Sequence, residues 1–321
     1  MKQFQKILHE LKSVVANHKP GDVLTPPPSM PSIYIDGRRL SYAAMGLDNE
    51  HSSTATPVIF LHGFGGFFMD WPRIMAPLSK HTKVYALDLP GWGFSEINRD
   101  ANSLEDDVEA VDEFMKQLGI DSAILCGISY GAGVAWAAAA MGRPRVKRAV
   151  LLNPMPPNPL DYMHSGLYQG VFALNLSRAT SFLGHKLLRK SQYKAICREN
   201  LLNDRLLDTF YLDLAYLVMK QPKMPFLLNA HARGARELNW SEWEHRLAGA
   251  RTPVSILQGM DDRIFSMDSA TYLYELIPHS ELIQVSDCGH AMVFDQHRKV
   301  SDFLIQCLSR KEEKRTFDQS G

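Results

Sequence analysis

The chain has little cysteine, no excess of either charge and no long apolar run, and each shortage excludes a class of protein. Its four cysteines are scattered over 321 residues without a C-x-x-C pair, so neither a disulfide framework nor a zinc site is indicated. The 35 lysines and arginines balance 35 aspartates and glutamates, which gives no reason to expect a nucleic-acid partner. No stretch approaches the roughly 18 apolar residues of a transmembrane helix, and the N-terminus lacks the compact apolar region of a signal peptide. We therefore expect a cytoplasmic globular protein that acts on a small or neutral partner.

The two ends of the chain differ in composition from its middle. Residues 1–16 predict an amphipathic helix that packs on its own domain or contacts a membrane surface or a partner. The apolar residues of that helix are Phe4, Ile7, Leu8, Leu11, Val14 and Val15. A proline-rich linker, TPPPSMP, completes the segment 1–32. Residues 311–321 are charged and nearly free of large apolar side chains, which predicts a disordered tail.

Between these ends, apolar segments of strand length alternate with segments of helical periodicity. A hairpin turning at Asp36-Gly37 is followed by the strands PVIFLHG, KVYALDLPG, DSAILCG and VKRAVLLN, with helices between them. Such alternation implies crossovers and a mainly parallel α/β sheet. From about residue 154 to 250 the pattern stays helical, and TPVSILQG then resumes the sheet. We predict a core of residues 33–153 and 251–310, interrupted by a helical insertion at 154–250.

The segment ILCGISYGAG places Ser129 between Gly127 and Gly131, directly after a strand and before a helix. A serine hydroxyl is a weak nucleophile that needs a base and must project toward its substrate. In a sharp strand-to-helix turn the two glycines avoid a collision, and the strained turn pushes the serine oxygen outward. The backbone N–H of Tyr130 then points at the group that the serine attacks. Ser129 is therefore the candidate nucleophile, and the alternative is a glycine-rich turn that merely packs tightly.

With this motif in this context, the sequence resembles the α/β-hydrolase superfamily over about residues 33–310. The resemblance implies a mostly parallel eight-stranded sheet with helices on both faces and a helical cap inserted after strand six. The break in the pattern at Pro154 falls where such a cap would start. The superfamily's triad runs serine, then an acid, then histidine along the chain. The resemblance implies no cofactor and no metal.

The resemblance also implies where the partners of Ser129 lie. Asp262, in LQGMDDRIF, occupies the family's G-x-x-D position past a strand, while Asp261 is interpreted as a solvated loop carboxylate. His290 ends the last predicted strand in VSDCGH, at the family's catalytic histidine position. His290 would act as the base, and Asp262 would hold its imidazole in the useful tautomer. Some relatives carry the acid after strand six instead, where this chain has Asn153.

The segment FLHGFGG, residues 60–66, looks like the family's oxyanion loop. It follows the third strand, and the backbone N–H of Phe64, after Gly63, would pair with that of Tyr130. Two such donors stabilise the negative oxygen of a tetrahedral intermediate. We interpret His62 in the same loop as structural, because no second ligand sits at metal spacing.

The insertion is rich in aromatic residues and methionine. Most of these side chains are expected in its own core, and the remainder could line an apolar pocket over Ser129. We expect a serine hydrolase that cleaves a carboxylic ester, or a thioester, of a moderately lipophilic substrate through an acyl-enzyme. Two alternatives stay open: a C–C bond hydrolase of the ring-fission diketone type, and a ligand-binding, receptor-like member with little turnover.

Overall fold

A computed structural model describes residues 1–48, 55–97, 103–202 and 206–309. The tail predicted to be disordered, residues 311–321, lies outside the described residues. Within the described ranges, eight strands form one sheet. They are β1 (Ser32–Ile35), β2 (Arg38–Met45), β3 (Val58–Leu61), β4 (Val84–Leu87), β5 (Ala123–Ile128), β6 (Val146–Leu152), β7 (Val254–Gly259) and β8 (Ser280–Val285).

The order of the strands across the sheet is β1-β2-β4-β3-β5-β6-β7-β8. The β1–β2 and β2–β4 pairs are antiparallel, and the remaining pairs are parallel. The hairpin turns at Asp36-Gly37, where both residues have positive φ. The mostly parallel eight-stranded sheet predicted from the sequence is confirmed.

Helices connect the strands and fill the interruption in the pattern. They are α1 (Lys2–Asn17), α2 (Pro72–Leu78), α3 (Leu104–Gln117), α4 (Tyr130–Ala140), α5 (Pro159–Tyr162), α6 (Gly166–Asn175), α7 (Arg178–Leu187), α8 (Lys190–Glu199), α9 (Thr209–Met219), α10 (Met224–Glu237), α11 (Trp240–Ala248), α12 (Met267–Leu276), α13 (Met292–Asp295) and α14 (His297–Ser309). The chain closes with α14, which begins at His297 directly after the short helix α13.

The central strands form because their sequences are short, continuous apolar runs. Every residue of β3, β4, β5 and β7 is buried. A parallel strand that is buried along its whole length must be covered on both faces, which the connecting helices do. Helices α3 and α4 pack against each other, as do α2 and α14. This burial makes the sheet the rigid part from which the site residues project.

Helices α5 to α11 lie between β6 and β7 in the chain, at the place of the predicted helical cap, and are here called the cap. Within it, α10 packs against α6 and α7, and α8 packs against α9. Helix α11 returns to the core and contacts α4. The cap is thus tied to the sheet at its end, while its first helices contact one another.

The N-terminal helix α1 packs on its own domain. It buries Phe4, Ile7 and Leu11 and contacts β2 and α9. The ring of Phe4 meets the edge of Phe68 at a centroid distance of 6.4 Å. The most apolar side of α1 is therefore already covered, and a membrane or partner contact of residues 1–16 stays a prediction. In the described ranges, no helix combines the length and the apolar character that a bilayer crossing requires.

Candidate active site

The predicted site residues all follow strands at one edge of the sheet. Phe64 comes after β3, Ser129 after β5, Asp262 after β7 and His290 after β8. These strands run parallel, so their carboxyl ends meet at the same edge. The topology thereby brings together residues that are far apart in the sequence.

Ser129 occupies a strained turn between β5 and α4. Its backbone has φ 52° and ψ −115°, a conformation that an L-residue rarely adopts. A Cβ atom on Gly127 would lie 2.1 Å from the carbonyl oxygen of Gly131, and one on Gly131 would lie 2.1 Å from that of Leu61. Only glycine fits at either position, so the two motif glycines allow the turn that exposes the serine.

His290 and Asp262 form a hydrogen-bonded pair. The imidazole Nδ1 lies 2.8 Å from Oδ2 of Asp262, whose side chain is completely buried. The other carboxylate oxygen accepts the backbone N–H groups of Ile264, at 2.8 Å, and Phe265, at 3.1 Å. Oδ2 also accepts from the Gln258 amide at 3.3 Å. Because an ionised carboxylate only accepts hydrogen bonds, the neutral ring carries its proton on Nδ1, and Nε2 is the nitrogen left without it.

Asp261, the second carboxylate of the same loop, does not join this pair. Its side chain is exposed, and its Oδ2 accepts the backbone N–H of Cys288 at 3.3 Å. The backbone N–H of Asp261 donates in turn to the Cys288 carbonyl at 3.0 Å. Asp261 therefore links the loop after β7 to the loop after β8.

Asn153, at the end of β6, connects the same two loops from inside. Its amide nitrogen donates to the carbonyl oxygens of Gly289, at 2.8 Å, and His290, at 2.7 Å. Its amide oxygen accepts the backbone N–H of Gly259 at 2.7 Å. The side chain is fully buried, and its φ of 42° lies in the left-handed region that asparagine tolerates. Sequence reasoning noticed Asn153 only as a missing acid and overlooked this positioning role.

The predicted oxyanion loop lies directly beside Ser129. A Cβ atom on Gly63 would be 3.3 Å from the Cβ of Ser129. Among the described residues, the backbone N–H groups of Phe64 and Tyr130 have no hydrogen-bond acceptor. Both residues line the cavity that contains Ser129. Two free donors next to a nucleophile are the arrangement that binds a developing oxyanion.

Buried contacts hold the oxyanion loop in place. The ring of Phe64 stacks on Phe172 of the cap at a centroid distance of 5.2 Å. His62 donates from Nδ1 to the Gly63 carbonyl at 2.8 Å, and its Nε2 accepts the backbone N–H of Leu89 at 3.1 Å. Burial lowers the pKa of His62 to about 4, so the ring stays neutral and can accept at Nε2. His62 thus supports the loop structurally.

Tyr130 is held by a residue that sequence reasoning missed. Its hydroxyl donates to Oδ2 of Asp107, on α3, at 2.5 Å, and both side chains are buried. Burial raises the pKa of Asp107 to about 7. The contact fixes the side chain of the residue whose backbone N–H faces the nucleophile. In the sequence, Asp107 is one of three adjacent acids at the start of a helix, and nothing marks it for this role.

A cavity of about 330 Å³ lies between the sheet edge and the cap. Ser129, His290, Phe64 and Tyr130 line its core side. The cap side is mainly apolar and includes Met155, Met163, Tyr168, Val171, Phe172, Leu174, Leu188, Ile196, Met219, Leu228, Leu238 and Trp240. No lysine or arginine belongs to the lining among the described residues. The cavity therefore suits an uncharged, largely apolar ligand.

Several polar side chains interrupt this apolar lining, and Asp70 and His231 are two buried ones. The carboxylate of Asp70 accepts the Tyr211 hydroxyl at 2.7 Å, and burial raises the pKa of Asp70 to about 7. The ring of His231, on α10, meets the edge of Tyr130 at 4.8 Å, and burial lowers its pKa to about 3. Neither nitrogen of His231 has a hydrogen-bond partner in the described part of the chain. Both groups can offer a substrate a polar contact, and neither was identified from the sequence.

No group of three or more histidine, cysteine, aspartate or glutamate side chains in the described ranges could hold a metal ion. The four cysteines are free thiols, and Cys126, Cys288 and Cys307 are buried.

Comparison with known proteins gives a consistent result. A family model for the alpha/beta hydrolase fold matches residues 56–296. The 2-hydroxymuconate semialdehyde hydrolase of Pseudomonas sp. (strain CF600) is 26% identical over 285 residues, which are 84% of this chain and 94% of that protein. Human 1-acylglycerol-3-phosphate O-acyltransferase ABHD5 is 37% identical over 106 residues, but the match spans only 30% of that protein. A crystal structure of a meta-cleavage product hydrolase superposes with a TM-score of 0.70 at 22% identity, covering 86% of this chain and 96% of that one.

Proposed function

This chain belongs to the alpha/beta hydrolase family, and on that premise we propose that it is a serine hydrolase of carboxylic esters, or thioesters, with a moderately lipophilic and uncharged acyl part. The observation that carries the proposal is the Nδ1–Oδ2 contact of 2.8 Å between His290 and Asp262, with His290 and Ser129 lining one cavity. A weak nucleophile, an oriented base and free oxyanion donors are the parts that acyl transfer to water needs.

The reaction proceeds in two steps. Ser129 Oγ attacks the carbonyl carbon while His290 Nε2 takes the hydroxyl proton, and Asp262 stabilises the imidazolium that forms. The N–H groups of Phe64 and Tyr130 bind the oxyanion, and one such donor is typically worth about 3 kcal/mol. The imidazolium then protonates the leaving alcohol or thiol. Water, deprotonated by His290, attacks the acyl-enzyme in the same way and releases the acid.

The charge of the cavity supports an uncharged substrate. Its described lining has no cation, and its one carboxylate, Asp70, is buried. An anionic acyl group would lose its water without gaining a counterion, which costs several kcal/mol. Apolar side chains such as Phe172 and Met219 instead offer contact area to an alkyl or aryl chain.

C–C bond hydrolysis is the second candidate, because the similarity to 2-hydroxymuconate semialdehyde hydrolase extends over most of both chains. The substrate that gives that enzyme its name carries a carboxylate. The absence of lysine and arginine from the described lining here is the observation that favours the ester over such an anion.

Labelling with a fluorophosphonate tests the nucleophile. We expect the parent to be labelled, Ser129→Ala to be unlabelled, and Ser191→Ala, which changes an exposed serine of α8, to be labelled like the parent. Folded parent that stays unlabelled would favour a binding protein. Turnover by Ser129→Ala at the parental rate would refute the mechanism.

A substrate panel then identifies the reaction. It contains p-nitrophenyl esters of increasing chain length, acyl-thioesters and a ring-fission diketone. We expect kcat/KM to rise with chain length until the cavity is filled and to be low for the anionic diketone. A clear preference for the diketone would replace the ester assignment with C–C hydrolysis.

A further inference from the structure

The outer side of the cap exposes large apolar side chains. Twelve such residues are exposed in the described chain, and five of them lie in α6 and α7. These five residues, here called the cap face, are 42–62% exposed: Leu167, Leu174, Phe182, Leu183 and Leu187. A cluster of this kind marks an interaction surface, whereas single exposed apolar residues are ordinary.

The leucines of the cap face lie on adjoining parts of α6 and α7. Leu183 and Leu187 are one turn apart on α7 and therefore neighbours on its surface. Leu174 of α6 lies against Gly184, since a Cβ atom on that glycine would be 2.5 Å from a methyl carbon of Leu174. Leu167 is two turns before Leu174 on α6. The two helices thus present their exposed leucines side by side.

Positive charge surrounds the cap face. Residues 166–199 contain six lysines and arginines and one acid, Glu199, in a chain whose net charge is zero. Arg178, Lys186 and Arg189 are exposed and form no ion pair within the described part of the chain. Apolar side chains flanked by cations favour the surface of an anionic bilayer, where the leucines enter the interface and the cations meet phosphate groups.

Residues of α6 and α7 line the cavity as well as the cap face. Leu174, Gly184, His185 and Leu188 line the cavity that contains Ser129, and Leu174 is also 45% exposed. An apolar molecule in contact with α6 and α7 therefore lies next to the wall of the site. Leu174 joins the exposed leucines to the lining of the cavity.

We propose that the cap face docks on bilayers containing anionic phospholipids and that acyl substrates enter the cavity from that interface. The proposed docking depends only on the residues of the cap face. The proposed entry of substrate also depends on the proposed function. A second copy of the chain would fit the cap face less well than an anionic bilayer, because the cations of the two copies would face each other. Helix α1 is a weaker candidate than the cap face for binding the bilayer, because its most apolar side is buried.

Sedimentation with lipid vesicles tests the docking. Full-length protein is mixed with vesicles of phosphatidylcholine, with or without phosphatidylglycerol. We expect binding to the anionic vesicles, weakened by salt. Leu183→Asp/Leu187→Asp and Lys186→Glu/Arg189→Glu should each weaken it by about tenfold or more. The matched controls Leu47→Asp and Lys147→Glu, at exposed residues outside the cap, should bind like the parent.

Several outcomes would overturn the proposal. These are parental binding by the double leucine variant, loss of binding in Lys2→Glu/Lys12→Glu on α1 instead, or a dimer in size-exclusion chromatography that the leucine variant abolishes without any vesicle binding. Circular dichroism of each variant checks that it is folded, and fluorophosphonate labelling of the parent in solution separates the two proposals. Labelling without vesicle binding overturns only the docking, whereas vesicle binding without labelling supports the docking and overturns the serine hydrolase.

Discussion

Asn153 gives a direct test of how the site is built, because its amide joins the loops that carry the acid and the base. It donates to the carbonyl groups of Gly289 and His290 and accepts the N–H of Gly259. We predict that Asn153→Ala lowers both the free energy of unfolding and kcat, although the triad itself is unchanged.

The expected loss in the free energy of unfolding follows from three lost hydrogen bonds and from the backbone conformation of Asn153. A buried hydrogen bond contributes about 1 kcal/mol, and each partner left unpaired costs about 1–3 kcal/mol, so we expect a loss of roughly 3–5 kcal/mol. Asn153 also has a φ of 42°, where alanine adds a penalty of about 1 kcal/mol. Asn153→Gly loses the same bonds without that penalty and should be more stable than Asn153→Ala by a similar amount.

Urea unfolding gives the stability, and hydrolysis of p-nitrophenyl butyrate gives kcat. A loosened His290 loop should lower kcat by roughly 10²-fold, because small displacements of a catalytic base are costly. Asn158→Ala is the matched control, since Asn158 also has a positive φ, 53°, but bonds only the nearby Asp161. It should lose stability and keep kcat. If Asn153→Ala unfolded at the parental urea concentration and kept parental kcat, the positioning role would be refuted.

Three further predictions follow from single contacts. Asp262→Asn removes the carboxylate that orients His290 and should lower kcat by roughly 10⁴-fold in folded protein; parental kcat would contradict the pairing. Gly127→Ala should prevent folding, since its Cβ would lie 2.1 Å from a backbone carbonyl, whereas Gly170→Ala, in open space on α6, should stabilise by about 0.5–1 kcal/mol in urea. Burial raises the pKa of Asp70 from 3.8 to about 7, so the native state holds this proton more tightly than the unfolded chain. The free energy of unfolding should therefore fall as pH rises from about 4 to 7, and Asp70→Asn should reduce that fall in urea titrations at several pH values.

The sheet could be predicted because its central strands are readable without tertiary information. Segments such as VIFL in β3 and AILCGI in β5 are apolar throughout, and turn residues bound them on both sides. The cap could be predicted only as a helical insertion. Phe172 lines the cavity and Phe182 is exposed on the surface, although both are aromatic residues at helical spacing. Phe172 and Phe182 differ in position because of how α6 and α7 pack, and this packing cannot be predicted from the local sequence pattern.

The positioning residues of the site were missed for a related reason. Asp106 and Asp107 are adjacent acids in the first turn of α3, where the helix dipole favours negative charge. In the structure Asp106 caps the helix at Ser103, and Asp107 is buried against Tyr130. Only the burial of one side chain separates the two roles, and burial is a property of the assembled fold.

Residues of the core and residues of the cap should affect different kinetic quantities, the core the rate of the chemical step and the cap the choice of substrate. The proposed nucleophile, base, acid and oxyanion donors follow strands of the core, and Asn153 and Asp107 contact them from within it. The cap contributes lining such as Phe172 and His231. A change in the cap lining should therefore act mainly on KM and chain-length preference, because it leaves the reacting groups in place, whereas a change at the sheet edge should act mainly on kcat. The stacking of Phe172 on Phe64, at 5.2 Å, and the edge contact of His231 with Tyr130, at 4.8 Å, join cap side chains to the two proposed oxyanion donors, so Phe172 and His231 are where the two effects should mix.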